Sequence, residues 1–418
     1  MPIFNSDLSR RQFLTRGAAV AGVGSLGWLS ASAASASPTE VLSSAGSLGS
    51  TGSLDAARIE RKLLAAMHGL HKAHGGPPAV VVTIGRGAQE MLYTAGTADL
   101  GGSGNGVRPP TDSDHMRLAS VSKAFSGAAA LALVTESELA LDDSIGRRLS
   151  DSKLPPQWAG ITLAQLLGHT SGIPDFSATD EFAAAVQASL DHAPPPRTLL
   201  SYVTDPTLKF TPGPAFGYSN SDNILVGLMI EAATGRSYDE VLHDRVCVPR
   251  DLPQTTLPSG SAMPRPYLHG YDTGMPGAPE DVSTLFAAGW AWAAGGVVST
   301  PADTLRFVRA YVRGDGLDDR SRRAQFRFRR GASEPPGPGV NSAGLALFRY
   351  DTKYGRVFGH TGNTSGYTQF AAATEDGDRG AVVSATTQLS PGRGAGTDAL
   401  FAQLRSVFEL AVGTALAP

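Results

Sequence analysis

The stretch Arg117–Lys123, which reads RLASVSK, decides how this 418-residue chain is interpreted. Ser120 and Lys123 stand three residues apart in it, and an apolar, alanine-rich run continues to about Thr135. Such a run predicts a helix that begins near Ser122, and residues three apart on a helix lie on one face. The positive end of the helix dipole favours negative charge that develops at its start. Ser120 is therefore the candidate nucleophile, and Lys123, whose pKa an apolar environment lowers, is the candidate base.

A second serine and lysine have the same spacing, at Ser150 and Lys153. Lys153 is followed by Leu154, Pro155 and Pro156. A pair of prolines predicts a loop, in which this spacing defines no geometry. We therefore expect no catalytic role for Ser150.

Two further motifs carry groups that suit acyl transfer. Tyr218 and Asn220 come just before an apolar stretch; a phenol beside a lysine can carry a proton to a leaving group, and an amide can hold a substrate amide. His360-Thr361-Gly362 lies between two β-rich segments, where the glycine would let a substrate backbone approach a strand edge and Thr361 offers a hydroxyl. Taken singly, each motif is equally consistent with a structural role, as a helix cap or a satisfied histidine.

Composition and missing motifs exclude several classes of protein. The chain contains 35 basic and 38 acidic side chains, a formal net charge of −3, which gives no overall preference for nucleic acid. Cys247 is the single cysteine, so an intrachain disulfide and a cysteine-rich metal site are excluded. Neither G-x-S-x-G nor H-E-x-x-H occurs. We expect no metal, no cofactor and no nucleic-acid partner.

The first 36 residues predict an export signal of the twin-arginine type. Arg10 and Arg11 precede an apolar stretch from Gly17 to Leu29, and Ala34-Ser35-Ala36 is a small-residue cleavage site. The apolar stretch is shorter than the roughly 20 residues that a membrane span needs. The alternative is an uncleaved amphipathic terminus. We expect a secreted protein, or one of the cell-wall space, without a stable membrane span.

The rest of the chain predicts one catalytic unit after a flexible Ser/Gly linker at residues 37–53. A helix with Asp55 as its N-cap starts the unit, and another, from about Thr397 to Val412, ends it. The predicted strands are 80–84, 89–93, 343–348, 356–359, 367–373 and 381–385. Strands near both ends with helices between them indicate one sheet with a helical insertion. We divide residues 54–418 into a sheet lobe, 54–119 plus 287–418, and a helical lobe, 120–286.

The order S-x-x-K, Y-x-N, H-T-G resembles the serine beta-lactamase and penicillin-binding-protein superfamily. The branch is the one that holds D-alanyl-D-alanine carboxypeptidases, class C beta-lactamases and related esterases. The segments around the motifs agree, at Leu166–Gly172, Ala294–Thr300 and Gly359–Tyr367. The resemblance covers about residues 55–412. It implies an α/β (α+β) fold: an antiparallel sheet flanked by helices, with an inserted all-helical lobe and the nucleophile at the junction.

The resemblance also implies a role for each motif residue. Ser120 would be the nucleophile, Lys123 its base partner and Tyr218 the proton shuttle. The residues implied in substrate binding are Asn220, which orients the substrate, the strand residues His360, Thr361 and Gly362, and Asn363, whose backbone amide would complete the oxyanion hole with that of Ser120. His169, in one of the flanking segments, is interpreted as structural.

The third motif bears on the reaction, because class C beta-lactamases usually have lysine where this chain has His360. D,D-carboxypeptidases and D-aminopeptidases of the branch often have histidine there, and export suits a peptidoglycan substrate. We therefore expect a D-alanyl-D-alanine carboxypeptidase that beta-lactams modify covalently. The alternatives are an esterase, a class C-like beta-lactamase or a D-aminopeptidase, and a non-catalytic penicillin-binding module.

A carboxypeptidase needs a cation for the terminal carboxylate of its substrate. Arg349 is the nearest candidate, although side chains alternate along a strand and Phe348 is the other candidate to face the site. A protonated His360 would also help to hold a carboxylate, whereas a neutral one would only form hydrogen bonds. The run Arg320–Arg330 holds six arginines; it is either a solvated loop or a surface that attracts anionic cell-wall polymers.

Overall fold

The computed structural model describes residues 51–101, 107–150, 153–274, 277–329, 337–392 and 395–418, without the side chains of 51–53. The predicted export signal, the linker as far as residue 50, and Arg330 lie outside the described residues. The strands are β1 (Ala79–Arg86), β2 (Gln89–Gly96), β3 (Met116–Arg117), β4 (Tyr271–Asp272), β5 (Glu280–Asp281), β6 (Val298–Ser299), β7 (Val340–Ala343), β8 (Phe348–Thr352), β9 (Gly355–Thr364), β10 (Tyr367–Ala373) and β11 (Arg379–Ala385).

Helices occupy most of the middle of the chain. They are α1 (Thr51–Lys72), α2 (Ser122–Thr135), α3 (Ile145–Arg148), α4 (Leu163–Leu167), α5 (Asp180–Ala188), α6 (Pro196–Ser201), α7 (Asn220–Thr234), α8 (Tyr238–Leu242), α9 (Trp292–Gly295), α10 (Pro301–Arg313), α11 (Asp319–Gln325) and α12 (Ala395–Leu416). A 3₁₀ turn, Ala119–Val121, leads directly into α2.

Both ends of the described chain contribute to one seven-stranded sheet. Its strand order is β2-β1-β11-β10-β9-β8-β7, and each neighbouring pair is antiparallel. Val80 in β1 lies opposite Ala385 in β11, so the first and last long strands pair inside the sheet, with β2 alone beyond them at that edge. The predicted fold class, an antiparallel sheet with helices, is confirmed.

Helices cover both faces of the sheet. Alternate residues of β1 face opposite sides: Val80 and Val82 pack in an apolar cluster with α1 and α12, and Val81 belongs to a second cluster that extends into the helices from the middle of the chain. This double coverage explains why β1 is apolar along nearly its whole length rather than alternating. Because the second cluster contains residues of both α2 and the sheet, the sheet and α2 share one core.

Among the described residues, α12 is the one helix that is long and apolar enough to cross a membrane by length and composition. Its most apolar window is 56% buried within the protein. Leu404, Val407 and Phe408 of this helix belong to the cluster that covers the sheet. The apolar character of α12 is therefore accounted for by packing.

Two local predictions were wrong. The predicted strand 343–348 is instead the end of β7, a turn at residues 344–347 and the start of β8: Gly344 N donates to Leu347 O at 2.7 Å, and Ala346 has a φ of +49°. The run is apolar because the turn itself is buried; Ala346 N donates to Leu167 O in the helical part of the chain. The first helix begins at Thr51, so Asp55 lies within it and is not its N-cap.

The division into a sheet lobe and a helical lobe stays a prediction. So do both explanations of the arginine run. Arg322 lies over the Phe326 ring at 3.6 Å, and Arg323 lies 3.6 Å from Asp319. Arg320 and Arg327 are exposed.

Candidate active site

Ser120 lies in the 3₁₀ turn where strand, helix and sheet meet. The residue before it, Ala119, has a φ of +49°, a left-handed conformation that is costly for alanine and concentrates at functional sites. Leu118 N donates to Val297 O at 3.0 Å and fixes the start of the turn. Ser120 is 5% exposed, at the edge of a cleft. The turn therefore presents the hydroxyl at a defined place on a rigid support.

Lys123 is buried one turn further on, and its amine meets three oxygens. Nζ donates to Asn220 Oδ1 at 2.6 Å and to Ala294 O at 2.7 Å, and it lies 3.2 Å from Ser120 Oγ. Burial lowers the pKa of Lys123 to about 7, against the opposing charges of Asp175 and Asp222. A neutral amine has two hydrogens, which the two firm acceptors take. A protonated amine donates its third hydrogen to Ser120 Oγ, whereas the neutral amine keeps a lone pair that can accept the Ser120 proton.

Asn220 is the first residue of α7 and connects Lys123 to a buried carboxylate. Its Nδ2 donates to Asp175 Oδ2 at 3.0 Å and to Ser177 Oγ at 2.8 Å, which orients Oδ1 towards Lys123. Burial raises the pKa of Asp175, and its hydrogen bonds with Ser177 partly offset that rise. Asn220 also lines the cleft beside Ser120, where a substrate would lie.

Tyr218 lies beside the same lysine, two residues before α7. Lys123 Nζ is 4.9 Å from the centre of the Tyr218 ring. The ring contacts His169 with centroids 4.4 Å apart, and His360 lies on another side with centroids 6.4 Å apart. The structure thus brings Tyr218 beside Ser120 and Lys123, which precede it by about 100 residues in the sequence.

His360 is buried in β9 and is neutral at ordinary pH. Burial and the charge of Lys123 lower its pKa to about 3. Nδ1 lies 2.5 Å from Thr361 O, a carbonyl that can only accept, so Nδ1 carries the proton and Nε2 is the bare nitrogen. The ring packs edge-on against Phe348, with centroids 5.1 Å apart. Of the two roles considered for His360, this geometry favours the neutral one, in which the ring forms hydrogen bonds and does not hold a carboxylate by its charge.

Gly362 brings β9 against the nucleophile turn. A Cβ atom at this position would lie 2.2 Å from Leu118 O and 3.2 Å from Ser120 N. The glycine is therefore required by the backbone before Ser120; that it also lets a substrate approach the strand stays a prediction. Thr361, beside it, is buried.

The side chain of Asn363 is fixed by three hydrogen bonds. Nδ2 donates to Leu389 O at 2.7 Å and to Ser390 Oγ at 2.5 Å, and Oδ1 accepts from Thr368 at 3.2 Å. The pairing of β8 with β9 ends at Gly359, whereas the β10 pairing continues to Thr364. Residues 360–364 therefore extend past β8 along the cleft, and Asn363 lines it.

Arg349 is not brought into this group. Its Nε lies 3.0 Å from Asp351 Oδ2, and its guanidinium lies 5.6 Å from the centre of the Phe328 ring. Phe348, the neighbouring residue, is the one that contacts His360. The arginine is thus paired with a carboxylate of its own strand.

Three contributors to the site escaped sequence reasoning: Asp175, Asp222 and the carbonyl of Ala294. Asp222 is buried in the first turn of α7, and burial raises its pKa well above the usual value. Its Oδ2 lies 2.9 Å from His169 Nδ1. The signal for Asp222 was a charged residue two positions after Asn220, just before the apolar run that starts at Ile224. Asp175 left no comparable signal.

The cleft beside Ser120 is small and mostly apolar, with an empty volume of about 290 Å³. Within the described part of the chain, no charged side chain lines it. The lining residues are Ala119, Ser120, Phe176, Asn220, Ala291, Ala294, Gly295, Asn363 and Thr364.

Comparisons with known proteins agree with this geometry. The profile of the family described as Beta-lactamase matches residues 56–405. The chain is 27% identical, over 68% of its length and 73% of the other, to the D-alanyl-D-alanine-carboxypeptidase/endopeptidase AmpH of Escherichia coli. It is 25% identical to penicillin-binding protein 4* of Bacillus subtilis, over 62% of this chain and 58% of that one.

Solved structures show the same fold. A D-stereospecific amidohydrolase from Streptomyces superposes with a TM-score of 0.69 at 27% identity, covering 78% of this chain and 94% of that one. The D-amino acid amidase of Ochrobactrum anthropi gives 0.72 at 22% identity, over 85% and 99%. The family model spans most of the chain, and Ser120, Lys123 and Tyr218 lie together in the structure. The protein therefore belongs to the beta-lactamase family, within the superfamily of serine hydrolases that act through an acyl-enzyme.

Proposed function

We propose that the protein is a serine hydrolase that cleaves the amide bond following a D-amino acid residue, with Ser120 as the acylated residue. The observation that carries the proposal is the hydrogen-bond pattern of Lys123. Two acceptors take the hydrogens of the neutral amine, and the remaining direction leads to Ser120 Oγ at 3.2 Å. A buried amine with a pKa of about 7 can accept the hydroxyl proton at neutral pH.

The reaction follows from this arrangement. Ser120 Oγ bonds to the substrate carbonyl carbon as its proton passes to Lys123, and the carbonyl electrons move to the oxygen. The backbone amides of Ser120 and Asn363 would stabilise that oxyanion. The bond from carbon to the leaving nitrogen then breaks, while Tyr218 gives that nitrogen a proton and regains one from Lys123. Water repeats the sequence on the acyl-enzyme and releases the acid.

The first candidate substrate is a peptidoglycan-type peptide that ends in D-alanyl-D-alanine. The relationship to a carboxypeptidase/endopeptidase from Escherichia coli supports it. A D-amino acid amide, or an internal peptide bond, is the second candidate, and one observation favours it. Arg349 is paired with Asp351, His360 is neutral, and the described lining of the cleft is uncharged, so a terminal carboxylate meets no cation there.

A matched pair of substrates separates these candidates: acyl-D-alanyl-D-alanine and the same peptide with a C-terminal amide. A carboxypeptidase prefers the free acid by kcat/KM, and the neutral cleft predicts preference for the amide. A cephalosporin and a nitrophenyl ester test the beta-lactamase and esterase alternatives. Slow turnover of all four, with covalent penicillin labelling intact, would indicate the non-catalytic penicillin-binding module.

The nucleophile has its own test in two serines with the same spacing to a lysine. Ser120→Ala should abolish both hydrolysis and labelling by a fluorescent penicillin, because the acyl-enzyme cannot form. Ser150→Ala should change neither, since Ser150 is exposed. Labelling that survives in the Ser120→Ala protein contradicts the proposal.

We further propose that the protein is exported through its twin-arginine N-terminus and works in the cell-wall space, on peptide substrates and with beta-lactams as covalent ligands. Arg10 and Arg11 support this proposal. Replacing both with lysine should retain the protein inside the producing cell. Fractionation of cells and medium measures the outcome, and unchanged export contradicts it.

A further inference from the structure

The segment His169–Gly172 guides the chain that leads to Tyr218. Three of its carbonyl oxygens accept hydrogen bonds from the loop 209–217, whose three donor amides are spaced four residues apart. The pairs are Gly172 O with Lys209 N at 2.8 Å, Thr170 O with Gly213 N at 2.8 Å, and His169 O with Gly217 N at 2.9 Å. The loop is thus fastened along its length, and its last bond stands one residue before Tyr218.

His169 holds Tyr218 in two ways. Its carbonyl accepts from the amide of Gly217, the residue before Tyr218, at 2.9 Å, and its ring lies against the Tyr218 ring with centroids 4.4 Å apart. Both the backbone before Tyr218 and its ring are therefore in contact with His169. A tyrosine that is held in this way has little freedom to turn its phenol away from Lys123.

Asp222 fixes the His169 ring in turn. Its Oδ2 lies 2.9 Å from His169 Nδ1, and its Oδ1 accepts from Ser171 Oγ at 2.5 Å. Asp222 and Asn220 share the first turn of α7, and Asn220 holds Lys123. One helical turn thus supports the base directly and Tyr218 through the histidine.

The backbone of His169 has a φ of +50°, which is costly for a residue other than glycine. Such a conformation persists where the surroundings require it. Here it allows one residue to offer its carbonyl to Gly217 and its ring to Tyr218. This combination goes further than the purely structural role that the sequence suggested for His169.

We propose that His169, oriented by Asp222, is a positioning residue that keeps Tyr218 in place for proton transfer to the leaving group. The inference rests on the proposed function, in which Tyr218 gives the leaving nitrogen its proton. It adds that the benefit of His169 to catalysis passes through Tyr218 and through no other group.

A double-mutant cycle with His169→Asn and Tyr218→Phe tests this dependence. Asparagine tolerates the left-handed backbone, and its side-chain amide can still donate to Asp222, but it removes the ring contact. His169→Asn alone should lower kcat for the peptide about 100-fold, as small misplacements of a reacting group do, with little change in KM. In the Tyr218→Phe protein the same change should cost less than about twofold, because coupled residues are not additive.

The ratio of the rates for two leaving groups gives a second measurement, which a general structural defect would leave unchanged. A peptide nitrogen needs a proton in order to leave, whereas nitrophenolate leaves as a stable anion. His169→Asn should therefore slow the peptide at least about tenfold more than the nitrophenyl ester. The control is Val312→Ala, a cavity in the buried face of α10, which should affect both substrates alike and add fully to Tyr218→Phe.

Equal losses from His169→Asn in the two backgrounds, or on the two substrates, overturn the inference and return His169 to a structural role. Wild-type activity of Tyr218→Phe overturns it as well. The acyl-enzyme proposal is judged separately, by comparing penicillin labelling of the wild-type and Ser120→Ala proteins, in both of which His169 and Tyr218 are unchanged. Should His169→Asn fail to fold by circular dichroism, Asp222→Asn enters the same cycle, because it leaves the His169 carbonyl bond to Gly217 in place.

Discussion

Lys123 sets the electrostatic character of the site at the scale of single residues. Its amine is buried, and two carboxylates, Asp175 and Asp222, compensate only partly for the loss of water. The same amine helps to lower the pKa of two histidines, His169 and His360, each to about 3. Both histidines are therefore uncharged across the physiological range, and Lys123 is the group that titrates there.

The first prediction is the pH dependence of acylation. Below pH 7 Lys123 is protonated and cannot accept the Ser120 proton, so kcat/KM for a neutral nitrophenyl ester should rise by one proton's titration through about pH 7 and then level off. Lys123→Arg should lose the activity, because a guanidinium stays protonated above pH 12. Initial rates between pH 5.5 and 9 measure the profile, and a rate independent of pH would contradict it.

The second prediction concerns His360. Its low pKa means that its charge does not change between pH 5.5 and 8. The ratio of kcat/KM for acyl-D-alanyl-D-alanine to that for its C-terminal amide should therefore stay constant in that window. His360→Lys introduces a side chain that can carry charge and should raise the ratio towards the free acid. A wild-type ratio that falls as the pH rises through 6.5 would show a protonated His360.

At the scale of elements, β9 and the nucleophile turn are built as a pair. Gly362 lets the backbone of the strand lie directly against Leu118 and Ser120. The distance between β9 and Ser120, and with it the geometry of the proposed oxyanion hole, is thus set by main-chain contact, which side-chain motion does not disturb. A rigid support of this kind suits a site that must stabilise a charge as it forms.

Gly362→Ala is the third prediction. The new Cβ would stand 2.2 Å from Leu118 O, so the strand must shift, at a cost of about 1–3 kcal/mol in stability and with a large loss of acylation rate. The control is Gly69→Ala in α1, where no atom lies within 4 Å. It should stabilise the protein by about 0.5–1 kcal/mol at unchanged activity. Urea unfolding and penicillin labelling measure both, and normal labelling of Gly362→Ala would sink the argument.

The sequence predicted the helices and strands that have strong local patterns, and it failed where a buried turn is as apolar as a strand. The alanine-rich run of α2 and the valines of β1 predicted their structures correctly, because alanine favours helices and β-branched residues favour strands. Residues 343–348 misled, since a buried turn is as apolar as a strand. Ser120, Lys123 and Tyr218 could be named from motif order. Asp175 could not, because its partner Asn220 is 45 residues away and only the folded chain joins them.

At the scale of the whole molecule, stability depends on covering both faces of one sheet. One face of the sheet is covered by α1 and α12, which come from opposite ends of the described chain and pack together. The opposite face shares its core with the helices that hold the site. Loosening either cover weakens the support of the cleft.

The fourth prediction follows from this coverage. Leu404 in α12 is fully buried, so Leu404→Ala should destabilise the protein by about 2–5 kcal/mol through the cavity that it leaves. Gln403→Ala, on the exposed side of the same helix, should change stability by less than about 0.5 kcal/mol. Urea denaturation followed by circular dichroism compares the two. Equal effects would mean that α12 does not cover the sheet in solution.

The pairing of β1 with β11 has a consequence for the order of events during synthesis. The amide of Ala79 donates to the hydroxyl of Thr386, 307 residues further along the chain. A ribosome therefore adds about 300 further residues after β1 before that strand can pair with β11, and contacts so distant in sequence form slowly. Until then β1 and β2 form a hairpin with one open edge and uncovered valines, a state prone to aggregation. Nascent chains halted before Arg379 should accordingly need a chaperone to stay soluble, and release of the full-length chain should end that need.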